Sequence, residues 1–356
     1  MNYWDILILF LISFVASVGF TYYIRRLLIK ANIGDNPIVS EHMHKKGTPT
    51  MGGIAFLFTI LLIIGIYYNN TQILIISYIM VAAGIMGLID DLIGLKVKEV
   101  QKVVRNISNG TLKIGRLSLN IGEEARVATD KAKSEVDSLL AQGKVELIGE
   151  VKIKYETGEL EKIIAQVVIG IFLALTGTIS TLGGFHLGFL AYPIIIIAII
   201  GAINAVNLID GMDGLAAGII AIASFASCLL GYLSGNLNII PPFIIILGLC
   251  LGFLIFNKNP ASIFMGDTGS FILGAGYATA VMICDIPYFG VLALGVPIAS
   301  VVVSLLYRAN LIHLPVEPLH HTLNYRGMSE TKIVYSYWAI TAILCVIGLI
   351  LSFYVF

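Results

Sequence analysis

Charged residues are scarce in this sequence, and their scarcity sets the class of protein. Only 12% of its 356 residues are Asp, Glu, Lys or Arg, whereas 58% are hydrophobic, and the mean hydropathy is +0.92. A soluble domain typically carries about 25% charged residues. The composition therefore excludes an ordinary soluble protein and predicts an integral membrane protein. The formal net charge of zero identifies no partner.

Cysteine is also sparse. The four cysteines (Cys228, Cys250, Cys284 and Cys345) are scattered through apolar runs and lack the short spacings of a metal site. A free cysteine in such a run behaves as a small hydrophobic residue. The sequence therefore offers no cysteine-ligated metal site, and its cysteines do not indicate a redox compartment.

Long apolar segments organise the chain. A bilayer core of about 30 Å is crossed by about 20 residues of helix. Segments of that kind occur at residues 4–25, 51–68, 72–93, 163–179, 185–203, 214–234, 239–256, 269–284, 287–309 and 332–354. We therefore predict an all-α polytopic membrane protein with about ten transmembrane helices. Small residues inside the segments predict a closely packed bundle.

Basic residues are absent from alternate loops, and this asymmetry orients the predicted protein. The loops near Asn69, Ser180, Gly235 and Pro287 contain no lysine or arginine, and neither do the two ends. The remaining loops carry all of them: Arg25, Arg26, Lys30, Lys45, Lys46, the 95–162 region, Lys258, Arg308, Arg326 and Lys332. Because basic loops stay cytoplasmic, both termini are expected to be extracytoplasmic.

Residues 95–160 interrupt the apolar pattern. Alternating apolar residues over 111–121 and 145–155 predict strands, and residues 128–140 have a helical pattern. The predicted domains are helices 1–3 in residues 1–94, a small cytoplasmic α/β insertion in 95–160 and helices 4–10 in 161–356, with a single catalytic membrane domain overall. The insertion lacks a nucleotide-binding glycine pattern. It is either a solvated structural insertion or a docking surface for a partner.

Two adjacent carboxylates, Asp90 and Asp91, end the third predicted helix. Ionisable groups at membrane depth are costly and usually functional. Neighbouring carboxylates repel each other and are tolerated mainly when a cation or a basic group offsets the repulsion. A magnesium ion held by carboxylates and substrate phosphates is one solution. The alternative is a solvated pair, although the dipole at a helix C-terminus disfavours it.

Polar residues recur at every third position near the end of the fifth predicted helix. They are Asn204, Asn207, Asp210 and Asp213. Residues three apart share a helix face, so the spacing predicts a row of amides and carboxylates at the membrane surface. Gly211 and Gly214 allow the chain to leave helical geometry and approach a ligand closely. A calcium loop is disfavoured because its downstream glutamate is absent; a purely structural turn is the other alternative.

Asp267 stands at the predicted start of a later helix, in a segment (256–270) that also contains Asn257 and Phe264. In this position the Asp267 side chain is either a functional carboxylate or the N-cap of the helix. The ring of Phe264 fits either packing at the membrane surface or a platform for a stacked base.

Two basic loops carry candidate anion-binding groups. His320 and His321 are adjacent, but no carboxylate or cysteine stands at zinc-ligand spacing, so contact with phosphate is better supported than a zinc site. Lys45, Lys46 and Thr48 precede a glycine-rich entry to the second helix, which suits anion capture. For the lysines alone, a positive-inside anchor is the alternative.

Together, carboxylates for a divalent metal, basic groups for phosphates and a membrane bundle for a lipid indicate phosphoryl transfer from a nucleotide donor to a lipid acceptor. The motifs resemble those of the polyprenyl-phosphate hexosamine-1-phosphate transferase superfamily, most closely its peptidoglycan-assembly branch. Four segments match in order: Lys46–Gly53, Asp90–Asp91, Asn204–Gly214 and Phe264–Ser270. The likeness spans roughly residues 45 to 330 outside the insertion.

The resemblance implies ten spans, extracytoplasmic termini, Mg²⁺ as cofactor and a site facing the cytoplasm in the plasma membrane. It implies a UDP-linked amino sugar as donor, polyprenyl phosphate as acceptor and UMP as a product, with no nucleic-acid partner. Some superfamily members are homodimers, and the sequence leaves that state open for this chain.

The resemblance also implies residue roles. Asp267 and Asn207 would hold the metal, and Asp90 would deprotonate or orient the lipid phosphate, with Asp91 supporting Asp90 or the metal. The donor would be contacted by further residues: Lys45, Lys46, Thr48, Asn204, Asp210, Asp213, Asn257, Phe264, His320 and His321. Phe264 would stack on uracil.

The sequence departs from the peptidoglycan branch at three places. Thr322 stands where a third consecutive histidine is usual, and the insertion is longer than expected. The basic residue expected shortly after the aspartate pair is displaced, since Gly94 stands at its place and the next basic residue is Lys96. The donor therefore stays open among a phospho-muramoyl-peptide, an N-acetylglucosamine phosphate and a related unit of another cell-wall polymer.

Two other function classes fit the sequence less well. An intramembrane aspartyl protease carries a Gly-x-Gly-Asp signature, whereas Asp267 follows Phe-Met-Gly, and no Tyr-Asp pair lies in an apolar segment. An ion-coupled transporter needs ionisable groups near mid-membrane and often shows an internal repeat. Here the ionisable groups are predicted to lie at one face, and no clear repeat is visible.

Overall fold

The computed structural model describes residues 2–34, 47–114, 117–127, 130–154 and 157–354. These residues form two compact units, one made by the insertion and one by the helices that precede and follow it. The helices are α1 (Tyr3–Lys30), α2 (Ile54–Ile66), α3 (Thr71–Gly94), α4 (Asp130–Ala141), α5 (Glu159–Leu175), α6 (Ala191–Ile209), α7 (Leu215–Leu233), α8 (Ile240–Asn257), α9 (Gly266–Ile283), α10 (Pro287–Ala293), α11 (Gly295–Arg308), α12 (Leu319–Tyr325) and α13 (Glu330–Tyr354).

Each apolar segment predicted from the sequence contains a helix. By length and hydropathy, six helices of the described ranges can cross a membrane, or seven if α10 and α11 count as one span. Helix α2 is only 13 residues long, and α5 and α9 do not meet the same test. The helical, membrane-type architecture agrees with the prediction, whereas the count of ten spans stays a prediction.

The predicted span at 287–309 is not one continuous helix. Helices α10 and α11 form an angle of 68° at a break centred on Leu294. Pro297 explains part of this break, because it has no N–H to donate to the carbonyl of Ala293 and so cannot continue the helical hydrogen-bond ladder.

Helix α9 is almost entirely buried, and glycines let its neighbours approach it closely. A Cβ atom on Gly53 would lie 2.1 Å from the backbone nitrogen of Gly269, and one on Gly87 would lie 2.3 Å from the carbonyl oxygen of Asp267. On another side, Gly274 lies against the backbone of α6 at Ala202. Small residues at such crossings permit backbone contact, and these contacts fix the start of α9, where Asp267 lies.

The insertion is a separate α/β unit. Its strands are β1 (Val97–Asn106), β2 (Leu112–Ile114), β3 (Leu117–Leu119), β4 (Glu124–Val127) and β5 (Val145–Lys154), and two further short strands, β6 (Thr181–Leu182) and β7 (Phe185–His186), form a hairpin in the helical unit. In the insertion, β1 lies between β4 and β5 in an antiparallel sheet, and β2 pairs with β3. Val104, Val127, Val136 and Val145 belong to its core.

The structure confirms the predicted hairpin at 111–121, the helix at 128–140 and the strand at 145–155 within the residues described. The sequence did not predict β1. Its pairing with β5 shifts register between Val97 and Glu99 and again between Val103 and Val104. Such bulges interrupt the two-residue alternation by which a strand is recognised.

We expect Gly53→Ala to destabilise the helical unit, because the added methyl group would collide with the backbone of α9 at Gly269. Overpacking of this kind typically costs about 1–3 kcal/mol. The measurement is thermal unfolding of the purified protein in detergent. Gly65→Ala in α2 is the matched control, because a Cβ there meets no atom within 4 Å. Equal melting temperatures for the two variants would contradict this packing.

Candidate active site

An ion-paired cluster joins the ends of three helices. The ammonium group of Lys162, in the first turn of α5, forms a close ion pair with Asp90 of α3 and lies 3.6 Å from Asp267 Oδ2 at the start of α9. The Asp90 side chain is only 8% exposed. A buried carboxylate is stable only when an opposite charge offsets its desolvation, so Lys162 allows the two carboxylates to share this place.

Lys162 is not among the site residues predicted from the sequence. The basic partner was expected just after the aspartate pair, near Gly94 and Lys96, whereas Lys162 follows the insertion in the chain. The sequence does contain a feature that could have identified Lys162, because it is a single lysine in the first turn of an apolar helix that begins at Glu159. The predicted start at 163 placed this lysine outside the helix.

Two amides of α6 extend the cluster. The side-chain nitrogen of Asn207 donates to Asp267 Oδ1 at 2.8 Å and to Ser270 Oγ at 3.0 Å. One turn earlier, Asn204 Nδ2 donates to Oε1 of the buried Gln166 at 2.7 Å. Asn204 and Asn207 therefore share a helix face, as predicted, and this face contacts α5 and α9.

Asp91 has a different role from its neighbour. Its carboxylate accepts hydrogen bonds from the backbone nitrogens of Asp267 (3.0 Å) and Thr268 (2.9 Å) and from the Thr268 hydroxyl (2.5 Å). These donors belong to the first turn of α9, whose N–H groups lack partners within the helix. Asp91 therefore caps α9, and the alternative readings of Asp267 as the N-cap and of the aspartate pair as solvated are both wrong.

A glycine makes this cap possible. Gly266 has φ +71°, in the left-handed region, and a Cβ on it would lie 2.8 Å from Asp91 Oδ2. A side chain at this position would meet both backbone strain and the capping carboxylate. The Met-Gly-Asp sequence therefore brings the start of α9 directly onto Asp91.

The row of four polar residues predicted on one face ends with the helix. Helix α6 stops at Ile209, so Asp210 and Asp213 lie in the following turn. Gly214, with φ +75°, reverses the chain into α7. The prediction of one face is therefore right for the two asparagines and wrong for the two aspartates.

Asp213 and Asn257 tie this turn to the loop that precedes α9. Asp213 Oδ2 accepts from Asn259 Nδ2 at 3.0 Å and from the backbone nitrogen of Ala261 at 2.9 Å. Asn257 Oδ1 accepts from the backbone nitrogen of Gly214 at 3.1 Å. Both Asp213 and Asn257 are buried. In this structure they hold two loops together.

The adjacent histidines lie beside the same turn. A Cβ on Gly211 would lie 2.7 Å from His320 Nε2 and 2.9 Å from His321 Nε2, and the ring centroids of the two histidines are 4.4 Å apart. Thr322 is buried, and its hydroxyl donates to the carbonyl of Val316. The residue at the usual third histidine position therefore closes its own loop.

Phe264 is held by the segment that enters α2. Its backbone nitrogen donates to the Pro49 carbonyl at 2.7 Å, and its carbonyl accepts from Gly52 at 2.8 Å. Of the other site residues predicted nearby, Thr48 is half-buried, while Lys45 and Lys46 lie outside the described residues.

The ion-paired cluster fits a magnesium ion better than zinc. Within the described ranges, no three His, Cys, Asp or Glu side chains converge to hold a metal. Mg²⁺ usually takes one or two carboxylates and completes its shell with substrate phosphates and water. The carboxylate oxygens of Asp90 and Asp267 match that donor set, and the Lys162 ammonium shows that the two carboxylates can share one cation. Asn207 turns its amide nitrogen toward Asp267, so its side-chain oxygen would reach a metal there only after the amide rotates.

Comparisons with known proteins identify the family of the chain. The model of glycosyl transferase family 4 matches residues 146–285, and signature 1 of phospho-N-acetylmuramoyl-pentapeptide-transferase matches residues 45–57. Phospho-N-acetylmuramoyl-pentapeptide-transferases of Alkaliphilus metalliredigens and Alkaliphilus oremlandii are 34% and 31% identical to the chain. Each comparison covers 98% of the chain, with 97% and 96% of the respective relative.

The chain belongs to the phospho-N-acetylmuramoyl-pentapeptide-transferase family.

A protein of Methanothermobacter thermautotrophicus, named provisionally as such a transferase, is 58% identical over 98% of both chains. Membership in this family identifies the chain as a phospho-sugar transferase. Together with the apolar helices, it identifies a multi-pass membrane protein. The segment matched by signature 1 includes the stretch that holds Phe264.

We expect substitutions of Asp90 and of Asp91 to lower the stability of the protein by different amounts. Asp91→Ala removes the acceptor of two backbone N–H groups of α9, and an unsatisfied buried donor costs about 1–3 kcal/mol. Asp90→Asn removes a charge but leaves the cap intact, so its melting temperature in detergent should fall less. Equal losses in the two variants would contradict the expectation that the cap contributes more stability than the Asp90–Lys162 ion pair.

Proposed function

We propose that the protein transfers a phospho-N-acetylhexosamine unit from a UDP-linked amino sugar to polyprenyl phosphate. The unit is a phospho-muramoyl-peptide or a related cell-wall sugar. An oxygen of the lipid phosphate forms a new bond to the sugar-linked phosphorus of the donor. The bond from that phosphorus to the bridging oxygen breaks, and UMP leaves. The products are a sugar-diphospho-polyprenol and UMP, and one transfer step suffices without a covalent enzyme intermediate.

The observation that carries this proposal is the Asp90–Lys162–Asp267 cluster at adjoining helix ends. Phosphoryl transfer depends mainly on positioning and on stabilising negative charge. Asp90 orients the lipid phosphate and accepts its proton, and Lys162 offsets the charge of the carboxylates and of the incoming phosphates. Asp267 and Asn207, with Asp90 close by, would hold Mg²⁺, whose chemistry when bound is to offset negative charge on the donor diphosphate. Asp91 acts by capping α9, which keeps Asp267 in position.

The second group of residues supports binding of the nucleoside. Phe264 is held by hydrogen bonds through its backbone nitrogen and its carbonyl, and its ring stacks on uracil. Asn204 and Asp210 are assigned to this part of the site from the sequence, and Asp213 and Asn257 shape it by joining its two loops. His320 and His321, beside the same turn, meet the donor phosphates or sugar. Lys45, Lys46 and Thr48 are assigned to anion binding on sequence grounds.

An apolar cavity supports a lipid acceptor. It has a volume of about 460 Å³ and lies between α6, α9 and the bent pair α10–α11. Its walls are aliphatic and include Ala198, Ala202, Ala278, Val291 and Val302. A hydrocarbon chain gains free energy by burial against such walls. The bend in α10–α11 therefore makes room for part of a polyprenyl chain.

The sidedness in this proposal comes from charge. The loops that carry the site also carry the basic residues, so we place the site at the cytoplasmic face of the plasma membrane, with ten spans and extracytoplasmic termini. An aspartyl protease is disfavoured, because its two carboxylates must share a proton. Here the ammonium of Lys162 stands between Asp90 and Asp267.

The test is UMP release by the purified protein with Mg²⁺ and polyprenyl phosphate. UDP-N-acetylglucosamine and a UDP-muramoyl-peptide are supplied in parallel. Release with one donor alone supports the proposal and identifies the sugar. No release with either donor from folded protein contradicts the proposal in this form.

Three variants connect this activity to the cluster. Asp267→Ala, Asp90→Asn and Lys162→Met should each abolish UMP release while the folded protein persists in detergent. Lys332→Met is the matched control for Lys162, because Lys332 is an exposed lysine in the first turn of α13. Wild-type rates in any of the three variants would refute that residue's assignment.

The apolar cavity gives a separate prediction. Ala198→Trp should fill part of it and raise the KM for polyprenyl phosphate, with little change in the KM for the UDP-linked donor. Leu305→Trp is the control, because Leu305 lies exposed on α11 and outside the cavity lining. If both variants raise the acceptor KM equally, the lipid chain binds elsewhere.

A further inference from the structure

The turn between α6 and α7 is supported by a residue that neither the sequence motifs nor the reaction assigns. The backbone nitrogen of Asp213 donates to Glu330 Oε1 at 2.7 Å. The next backbone nitrogen, that of Gly214, donates to Asn257 Oδ1 at 3.1 Å. Two consecutive N–H groups of the turn therefore point at side chains of two other helices, α13 and α8.

Glu330 acts from a helix that is firmly packed against the start of α7. The ring of Trp338 lies so close to Gly218 that a Cβ there would be 2.0 Å from it, and Trp338 Nε1 lies 3.4 Å from the carbonyl oxygen of Leu215. Ile333 and Tyr337 of the same helix are buried. The Glu330 carboxylate therefore extends from a firmly packed helix, three positions before Ile333, which is buried.

The supported turn contacts the predicted donor site on both sides. Gly211 touches the rings of His320 and His321, and the Asp213 carboxylate holds Asn259 and Ala261 of the loop before α9. A shift of the Asp213 backbone would therefore move both Gly211, which lies against the two histidines, and the loop that contains Phe264. A carboxylate that accepts a backbone N–H makes one of the stronger hydrogen bonds of a protein.

We propose that Glu330 is a positioning residue for the nucleotide-binding half of the site. It fixes the Asp210–Gly214 turn by accepting the N–H of Asp213, and it does not contact the reacting phosphates. This inference rests on the proposed function, since it presumes that the turn lies beside a bound uridine nucleotide.

Three variants separate the hydrogen bond from the charge. Glu330→Gln keeps the acceptor oxygen and loses the charge. Glu330→Asp keeps the charge at the helix start, where it is favourable, but shortens the side chain by one methylene group. Glu330→Ala loses both. Lys332→Ala, on the same exposed turn of α13, is the control.

The experiment measures two quantities on the full chain in detergent. The first is amide hydrogen exchange of the peptide that covers residues 205–216, and the second is the Kd for UMP in the presence of Mg²⁺. We expect Glu330→Ala and Glu330→Asp to speed exchange in this peptide and to raise the Kd about tenfold, as expected for the loss of one hydrogen bond that holds the turn. Glu330→Gln and Lys332→Ala should stay within about threefold of the wild type.

The outcomes distinguish this inference from the proposed function. If exchange and Kd are unchanged in Glu330→Ala and Glu330→Asp, the positioning role is overturned. If Glu330→Gln is as impaired as Glu330→Ala, the charge acts and the hydrogen bond does not, which also overturns it. If the wild type does not bind UMP, the proposed function fails, and faster exchange in the Ala and Asp variants alone no longer supports a role in nucleotide binding.

Discussion

The structure depends on the placement of one positive charge between two negative charges at buried helix ends. Asp90 and Asp267 come from α3 and α9, and without compensation their proximity would oppose the approach of these helices. Lys162 of α5 supplies the compensation. The close contact of Gly87 with the start of α9 then becomes possible, because the charges that it brings together are balanced.

Two neighbouring aspartates serve this arrangement in different ways. Asp90 faces the ammonium, while Asp91 receives the N–H groups of the first turn of α9. The cap acts through hydrogen bonds to the backbone of α9 and the ion pair acts through charge, yet both set the position of Asp267. A charged group that is held before the substrate arrives needs no reorganisation during the reaction, which is the advantage of building the site at capped helix ends.

Much of this could be predicted from the sequence, for physical reasons. A bilayer requires long apolar helices, so the positions of the helices could be predicted from the sequence. Polar residues within such helices are costly, and this cost identified Asp90, Asp267 and Asn207 as candidate site residues. Contacts between distant segments were not visible. Asp90 precedes the insertion in sequence and Lys162 follows it, so their ion pair could not be read from sequence spacing. The irregular pairing of β1 and the break between α10 and α11 likewise depend on tertiary context.

The proposed nucleoside half of the site is built differently from the proposed phosphate half. The sequence predicts that the polar residues there bind a ligand at the membrane surface, yet Asp213 and Asn257 accept hydrogen bonds from backbone groups of neighbouring loops. The Thr322 hydroxyl likewise donates a hydrogen bond to the Val316 carbonyl. A threonine in place of the third histidine therefore closes a loop, in addition to removing a possible contact with the sugar donor. Donor selectivity should therefore follow from how these loops are shaped and held, since a substitution can move Phe264 or His320 without touching the substrate.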